Sequence, residues 1–258
     1  MRSLGEFLPN NTLSRDLQSL MRPLHIMTSF FSLKKINVIN HFVTPTILRD
    51  HVFSFLGTCI YIFAHIYRFN IFYQDKPFSI KGRYDHFYNL YCCIFYTFAF
   101  FISFVLNIWY SLDHVSSILH IQNAHMSFNI DTNSCYTRAK FRNWFYCGVI
   151  FPVYIVLVLI SGLLYGKFEI YNVIYMVSMV YFDSGTMYAI RMMAIVNFEF
   201  KHWFLDVKLY SEKYKNMHSE LSIDINENSK HIYRSYENIM EAFNILKRTL
   251  QFPVNIKF

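Results

Sequence analysis

Apolar residues gather in long blocks along this chain. Residues 87–109 and 144–165 contain no Asp, Glu, Lys or Arg. Each block exceeds the roughly 20 helical residues that cross a hydrocarbon core about 30 Å thick. Residues 52–73 carry a single charge, Arg68 near one end, and residues 170–190 carry only Asp183. The pattern predicts four membrane helices at 52–73, 87–109, 144–165 and 170–190, forming a polytopic, all-α membrane bundle over 52–190.

Outside these blocks the apolar residues recur at helical spacing. Leu13, Leu17, Leu20, Leu24, Met27 and Phe31 stand three or four apart behind Ser14 and Asp16, which predicts an amphipathic helix within residues 1–51. Pro23 should break or kink it. Beyond the second span, Ile108, Leu112, Val115, Leu119, Gln122 and Met126 keep the same steps, so that helix should project past the membrane. The fourth should do likewise, with Phe200, Trp203, Phe204, Val207, Tyr210, Tyr214 and Met217 as its stripe. After a polar interruption at Ser222–Ser229, a second stripe runs through Ile232, Tyr236, Ile239, Phe243, Leu246 and Leu250. Residues 191–258 therefore read as a helical hairpin followed, at Leu250–Val254, by the entry to a fifth span that the chain does not continue.

Charge decides the orientation. The net charge of +7 is not gathered on one basic face, which argues against nucleic acid as a partner. Segments 1–51, 110–143 and 191–258 hold 19 Lys and Arg residues, whereas 74–86 and 166–169 hold 4. Positive residues favour the cytoplasmic side, so the N-terminus and the hairpin should lie inside, with the long helices projecting into the cytoplasm. A rhodopsin-like receptor would need the opposite orientation, and no Asp-Arg-Tyr follows the third span. The first 20 residues lack the apolar core of a cleavable signal. Five cysteines in no framework spacing give no reason to expect disulfides.

Catalytic apparatus is not visible. The seven glycines are too dispersed for a phosphate loop, no Gly-x-Ser-x-Gly occurs, and no cofactor is implied. His114, His120 and His125 are spaced six and five apart, which does not bring three imidazoles to one helix face for a metal. Asp183 is the sharpest residue, because a charge within a span faces a protein interior or a wet cavity. It reads either as a ligand contact or as a bond between helices, with His65 as a candidate partner. Tyr88 and Tyr91, Tyr154 and Tyr165, and Tyr171 and Tyr175 fall in the outer halves of their spans. Tyrosine offers a stacking face and a hydroxyl, so Tyr88, Tyr91, Tyr154, Tyr171, Tyr175 and Asp183 are the candidate ligand-binding residues. An interfacial aromatic belt is the competing reading. Arg68 should snorkel to the head groups. Pro152 should free a carbonyl inside the third span, and Gly162 and Gly166 permit close helix approach.

The stretch Asp16-Leu17-Gln18-Ser19-Leu20-Met21-Arg22-Pro23-Leu24-His25-Ile26-Met27 ahead of the first span resembles the start of insect gustatory receptors. Ile239-Met240-Glu241-Ala242-Phe243-Asn244 running into Phe252-Pro253-Val254 also resembles that family, as do the projecting helices. The resemblance implies a seven-helix, N-inside chemoreceptor of the cell membrane, related to odorant receptors. It implies that four subunits form a ligand-gated cation channel for small tastants, and that a homo- or hetero-oligomer with other receptor subunits forms in the lipid bilayer. The family's last three helices, including the pore-lining seventh, have no counterpart here. A non-conducting accessory or structural multi-pass protein is the alternative.

Overall fold

A computed structural model describes residues 11–31, 33–39, 41–75, 83–127, 133–165, 170–216 and 222–255. The helices are α1 (Arg15–Phe30), α2 (Leu48–Asp75), α3 (Arg83–Trp109), α4 (Ser111–Met126), α5 (Asn133–Phe145), α6 (Phe151–Tyr165), α7 (Ile170–Asn216) and α8 (Ser222–Asn255). A π-helical turn, Tyr146–Ile150, joins α5 to α6, and a short hairpin, β1 (Asn37–Ile39) with β2 (Phe42–Thr44), lies between α1 and α2.

The chain is thus a helical bundle in which four helical stretches are long and apolar enough to cross a membrane: Leu48–Ile71, Phe87–Trp109, Thr137–Ile160 and Val173–Glu212. The first two match the expected blocks closely. The third begins seven residues early because α5, the π-helical turn and α6 form one run of helix, and the fourth extends because α7 does not stop at residue 190. Between 11% and 29% of the residues in these windows are buried within the protein, and in the first three many apolar side chains are exposed, whereas those of the fourth up to residue 196 are mostly half-buried or buried. Phe63, Phe87, Phe98 and Leu157 are among the exposed ones. Such faces suit a lipid surround and would associate in water.

The amphipathic helix ahead of the bundle forms as its pattern predicts. Ser14 caps α1 by accepting from the Leu17 backbone N–H at 3.3 Å. Leu17, Leu20, Leu24 and Met27 are buried, and Phe31 packs edge-on against Phe151 with ring centroids 5.6 Å apart. The helix runs unbroken through Pro23, contrary to the expected break. Pro23 stands mid-helix, where it removes an i to i−4 bond, and packing of α1 on α5 and α7 offsets that loss.

The hairpin has no counterpart in the helical pattern. Its register pairs Asn37 with Thr44 and Ile39 with Phe42, and the tight reversal places His41 at φ 69°. Residues 11–13 run alongside: Val43 N donates to Asn11 O at 3.0 Å and Leu13 N to His41 O at 2.7 Å.

The helix of the second span does not pass straight into the next segment. Tyr110 interrupts it with φ −93° and ψ 10°, although the bonds Tyr110 N to Leu106 O and His114 N to Tyr110 O carry the ladder across. The buried face of α4 keeps Val115 and Gln122 of the expected stripe but is partly rotated from it. Ser111, His114, Ile118 and Ile121 are buried, whereas Ile108, Leu112 and Met126 are exposed. The rotation follows from packing: α8 covers one side of α4, and the segment before α1 takes Gln122.

The hairpin of long helices is present, with a correction to its turn. Helix α8 begins at Ser222, inside the stretch read as a polar interruption. Trp203 Nε1 donates to Ile232 O at 3.0 Å, joining α7 to α8. The α8 stripe holds, with Ile239 and Leu246 fully buried, but on α7 Phe200 and Phe204 of the expected stripe are exposed. The loop 166–169, residues 217–221 and the side chains of Cys135, Gly162, Tyr165, Gly166, Tyr214, Met217 and Pro253 lie outside the described residues.

Candidate functional site

At the end of the bundle where α2 finishes and α3 and α7 begin, ring-bearing and polar side chains converge. Three helices supply them because each apolar span has one narrow face turned inward, and aromatic residues fill it. His65 on α2 is 3% exposed and exchanges a 2.8 Å hydrogen bond with Ser178 Oγ on α7. Its ring lies 4.7 Å from that of Tyr175, 5.1 Å from Tyr96 and 5.5 Å from Phe100. The Arg68 guanidinium sits 3.6 Å above the centre of the Tyr175 ring. This replaces the expected snorkelling with a cation–π contact, which a desolvated face strengthens.

Beneath this cluster a second layer of rings fills the bundle. Phe100 contacts Tyr61, Tyr181 and Phe182, with centroids 4.8–5.4 Å apart. Two turns along α7 from Tyr175, about 12 Å at 1.5 Å per residue, stands Asp183. Its Oδ2 accepts from the Tyr154 hydroxyl at 2.6 Å, a charge-assisted bond between α6 and α7. The partner of Asp183 is thus Tyr154, while His65 is bound to Ser178.

The structure brings together some of the candidate tyrosines and separates others. Tyr154 joins Asp183, and Tyr175 joins His65 and Arg68. Tyr88 lies against Cys92 one turn along α3, within electrostatic range of Tyr175, with its ring largely exposed. Tyr91 is 60% exposed and stacks on Phe95 at 6.0 Å, turned away from the cluster. Tyr171 belongs to the first turn of α7, and its side chain lies outside the described residues.

Three buried polar groups were not marked by the sequence pattern. Asn143, fully buried, donates through Nδ2 to Leu20 O at 3.0 Å and accepts from Arg191 Nε at 2.7 Å. The Arg191 guanidinium also lies over the Tyr146 ring at 4.9 Å, tying α7 to α5 and α1. Glu199, 0% exposed, pairs with His125 across a 3.5 Å gap between α7 and α4. Each falls just beyond a span end, where a charged residue reads as surface, so periodicity alone gave no signal. His120 bonds Asn238 at 3.0 Å, so His120 and His125 serve different helix contacts.

The arrangement at the α2–α3–α7 end offers ring faces, hydroxyls and a guanidinium, with the Asp183 carboxylate two turns along α7 at the α6 contact. These are groups that orient a small ligand by stacking and hydrogen bonding. Compared with known proteins, the chain matches no family model, no curated protein and no solved structure.

Proposed function

We propose that the chain is a subunit of a gustatory-type chemoreceptor in the cell membrane, with its N-terminus and the α7–α8 hairpin cytoplasmic. The observation that carries the reading is the cluster of His65, Arg68 and Tyr175, with the Tyr154–Asp183 pair two turns farther along α7. It lies toward the end of the bundle opposite the segments that hold 19 of the 24 Lys and Arg residues. In an N-inside orientation that end faces the exterior, where a tastant arrives. The resemblance of residues 16–27 and 239–254 to insect gustatory receptors supports the same conclusion.

The ligand class that suits this cluster is a small, partly apolar molecule or a sugar, held on tyrosine rings and hydroxyls. Association with other receptor subunits fits the exposure of Phe200, Phe204, Leu205 and Leu209 along the part of α7 beyond the bundle. An accessory subunit that assembles without binding a ligand is the second reading, and the same exposed residues support it.

The deciding experiment is a thermal-shift screen of the purified chain against a panel of sugars and small aromatic bitter compounds. A compound that raises the unfolding temperature of the protein, but not of Tyr175→Ala and Asp183→Asn variants that still insert in membranes, is expected. A panel without any shift, or a shift untouched by both variants, overturns the ligand-binding role. Co-expression with a seven-span receptor then tests for ligand-evoked cation current.

A further inference from the structure

Where the bundle meets the α7–α8 hairpin, the helices leave a cavity of about 130 Å³. Lys35 reaches it from the segment after α1, His114 from α4, Tyr181, Gly185 and Tyr188 from α7, and Thr249 from α8. It lies farther along α7 than the contacts of His65 and Arg68, and the two share a wall in Tyr181 and Phe182, which pack on Phe100.

Several independent features mark this space as built to be filled. A side chain added at Gly185 would meet no atom within 4 Å, so the middle of α7 opens directly onto it. A mid-helix glycine costs about 1 kcal/mol relative to alanine, and a methyl placed at Gly185 would meet open space. The hydroxyls of Tyr181 and Tyr188 and Nδ1 of His114 are buried without a hydrogen-bond partner, in side chains 2% exposed. Buried polar atoms are ordinarily satisfied, so three orphans on one cavity call for a partner inside it.

Lys35 supplies the sign of that partner. Its neighbour Lys34 takes Asp50 at 3.1 Å, and among the described residues no carboxylate lies within ion-pair distance of Lys35. Burial pushes the Lys35 ammonium down to about 8, and burial, with the Lys35 charge second, holds His114 well below its usual value. A half-buried cation on the wall of a cavity that also holds unpartnered phenol and imidazole groups suits an anion. The rest of the wall, including Leu33 and Leu106, is mostly apolar. An apolar cavity of about 150 Å³ accommodates benzene.

We propose that this cavity binds a small organic monocarboxylate, with its carboxylate at Lys35 and the neighbouring His114–Tyr188 pair and its apolar body along the leucine wall. The site lies on the side of the bundle where the cytoplasmic helices attach, and it does not depend on the receptor reading. A ligand there would brace α7 against α8 and the segment before α2.

The test is a titration of the full chain, in phosphatidylcholine nanodiscs, with benzoate and with its uncharged counterpart benzyl alcohol. Saturable benzoate binding is expected, weakened about tenfold or more in Lys35→Gln, the loss typical of a hydrogen bond to a charged group. Binding should survive in Lys35→Arg, which keeps the charge, and disappear in Gly185→Leu, which fills the space. Benzyl alcohol should be indifferent to Lys35→Gln. Circular dichroism and size-exclusion profiles identify variants that remain folded. Absence of saturable binding, or equal benzoate binding in folded Lys35→Gln and Gly185→Leu proteins, overturns the proposal. Failure here would leave a tastant response at the Tyr175 cluster intact.

Discussion

Lys35 carries a positive charge in a half-buried position, and this leaves a mark on stability against pH. Its ammonium titrates at about 8 in the folded chain against an ordinary value of 10.5. The unfolded chain therefore binds more protons between these values, and stability must rise as pH increases through that window. Below about 8 both states are protonated and the penalty is constant. The rise amounts to about 3 kcal/mol if it is fully expressed, at 1.36 kcal/mol for each unit of displacement. Unfolding of the wild type and of Lys35→Met, followed from pH 7 to 10.5 without added anions, should converge as pH rises. Lys35→Met is expected to be the more stable at pH 7, and parallel curves would sink the assignment. The facing titratable group, His114, is already neutral in this range. Residue chemistry of this kind was invisible in the sequence, where Lys34-Lys35 reads as a pair at a helix end. Only the fold distinguishes the lysine that finds Asp50 from the one that finds none.

Individual elements show where a pattern suffices and where a neighbour overrides it. Pro152 lacks an N–H, so the carbonyl four residues earlier, on Gly148, loses its helical partner. The chain answers with the π-helical turn immediately before it, in which Phe151 N–H reaches back to Tyr146 O. The freed carbonyl was legible in the sequence; the wider turn depended on the continuous helix from α5 to α6. Gln122 shows the opposite case. Read as one step of an apolar stripe, it is instead a clamp: its Oε1 accepts from Ser14 N at 2.8 Å and its Nε2 donates to Thr12 O. Gln122→Leu removes both bonds at the start of α1 while keeping the volume. A loss of about 0.5–1.5 kcal/mol is expected, since the two bonds lost are only part-buried. Hydrogen exchange at Leu13 and Ser14 should accelerate in this variant, and unchanged protection there would show that the clamp carries no weight.

For the molecule as a whole, the decisive quantity is the sidedness of charge. With the N-terminus and hairpin inside, a single cysteine introduced as Lys208→Cys in a protein otherwise free of cysteine should react with an impermeant maleimide only after the cells are permeabilised. One introduced at Lys81 in the second-span approach should react in intact cells. Labelling of Lys208→Cys from outside would reverse the topology and with it the placement of the Tyr175 cluster toward the exterior. The same chain should stay with membranes after alkaline carbonate washing, since many apolar side chains of its first three windows are exposed.

The sequence by itself determined the helices, because a span needs only length, apolarity and absence of charge, all of them local. It also marked Asp183 and Tyr154, since a carboxylate in an uncharged block stands out wherever it points. Only tertiary structure decided that these two bond to each other, that Arg68 lies on Tyr175, that Arg191 and Glu199 are buried, and that α4 turns Leu112 outward. It also decided the strand pairing of residues 37–44 and the cavity beside Lys35. The physical reason is common to all of these. Helical periodicity fixes which residues share a face, but several helices contend for each face, and a polar side chain settles wherever its hydrogen bonds can be completed.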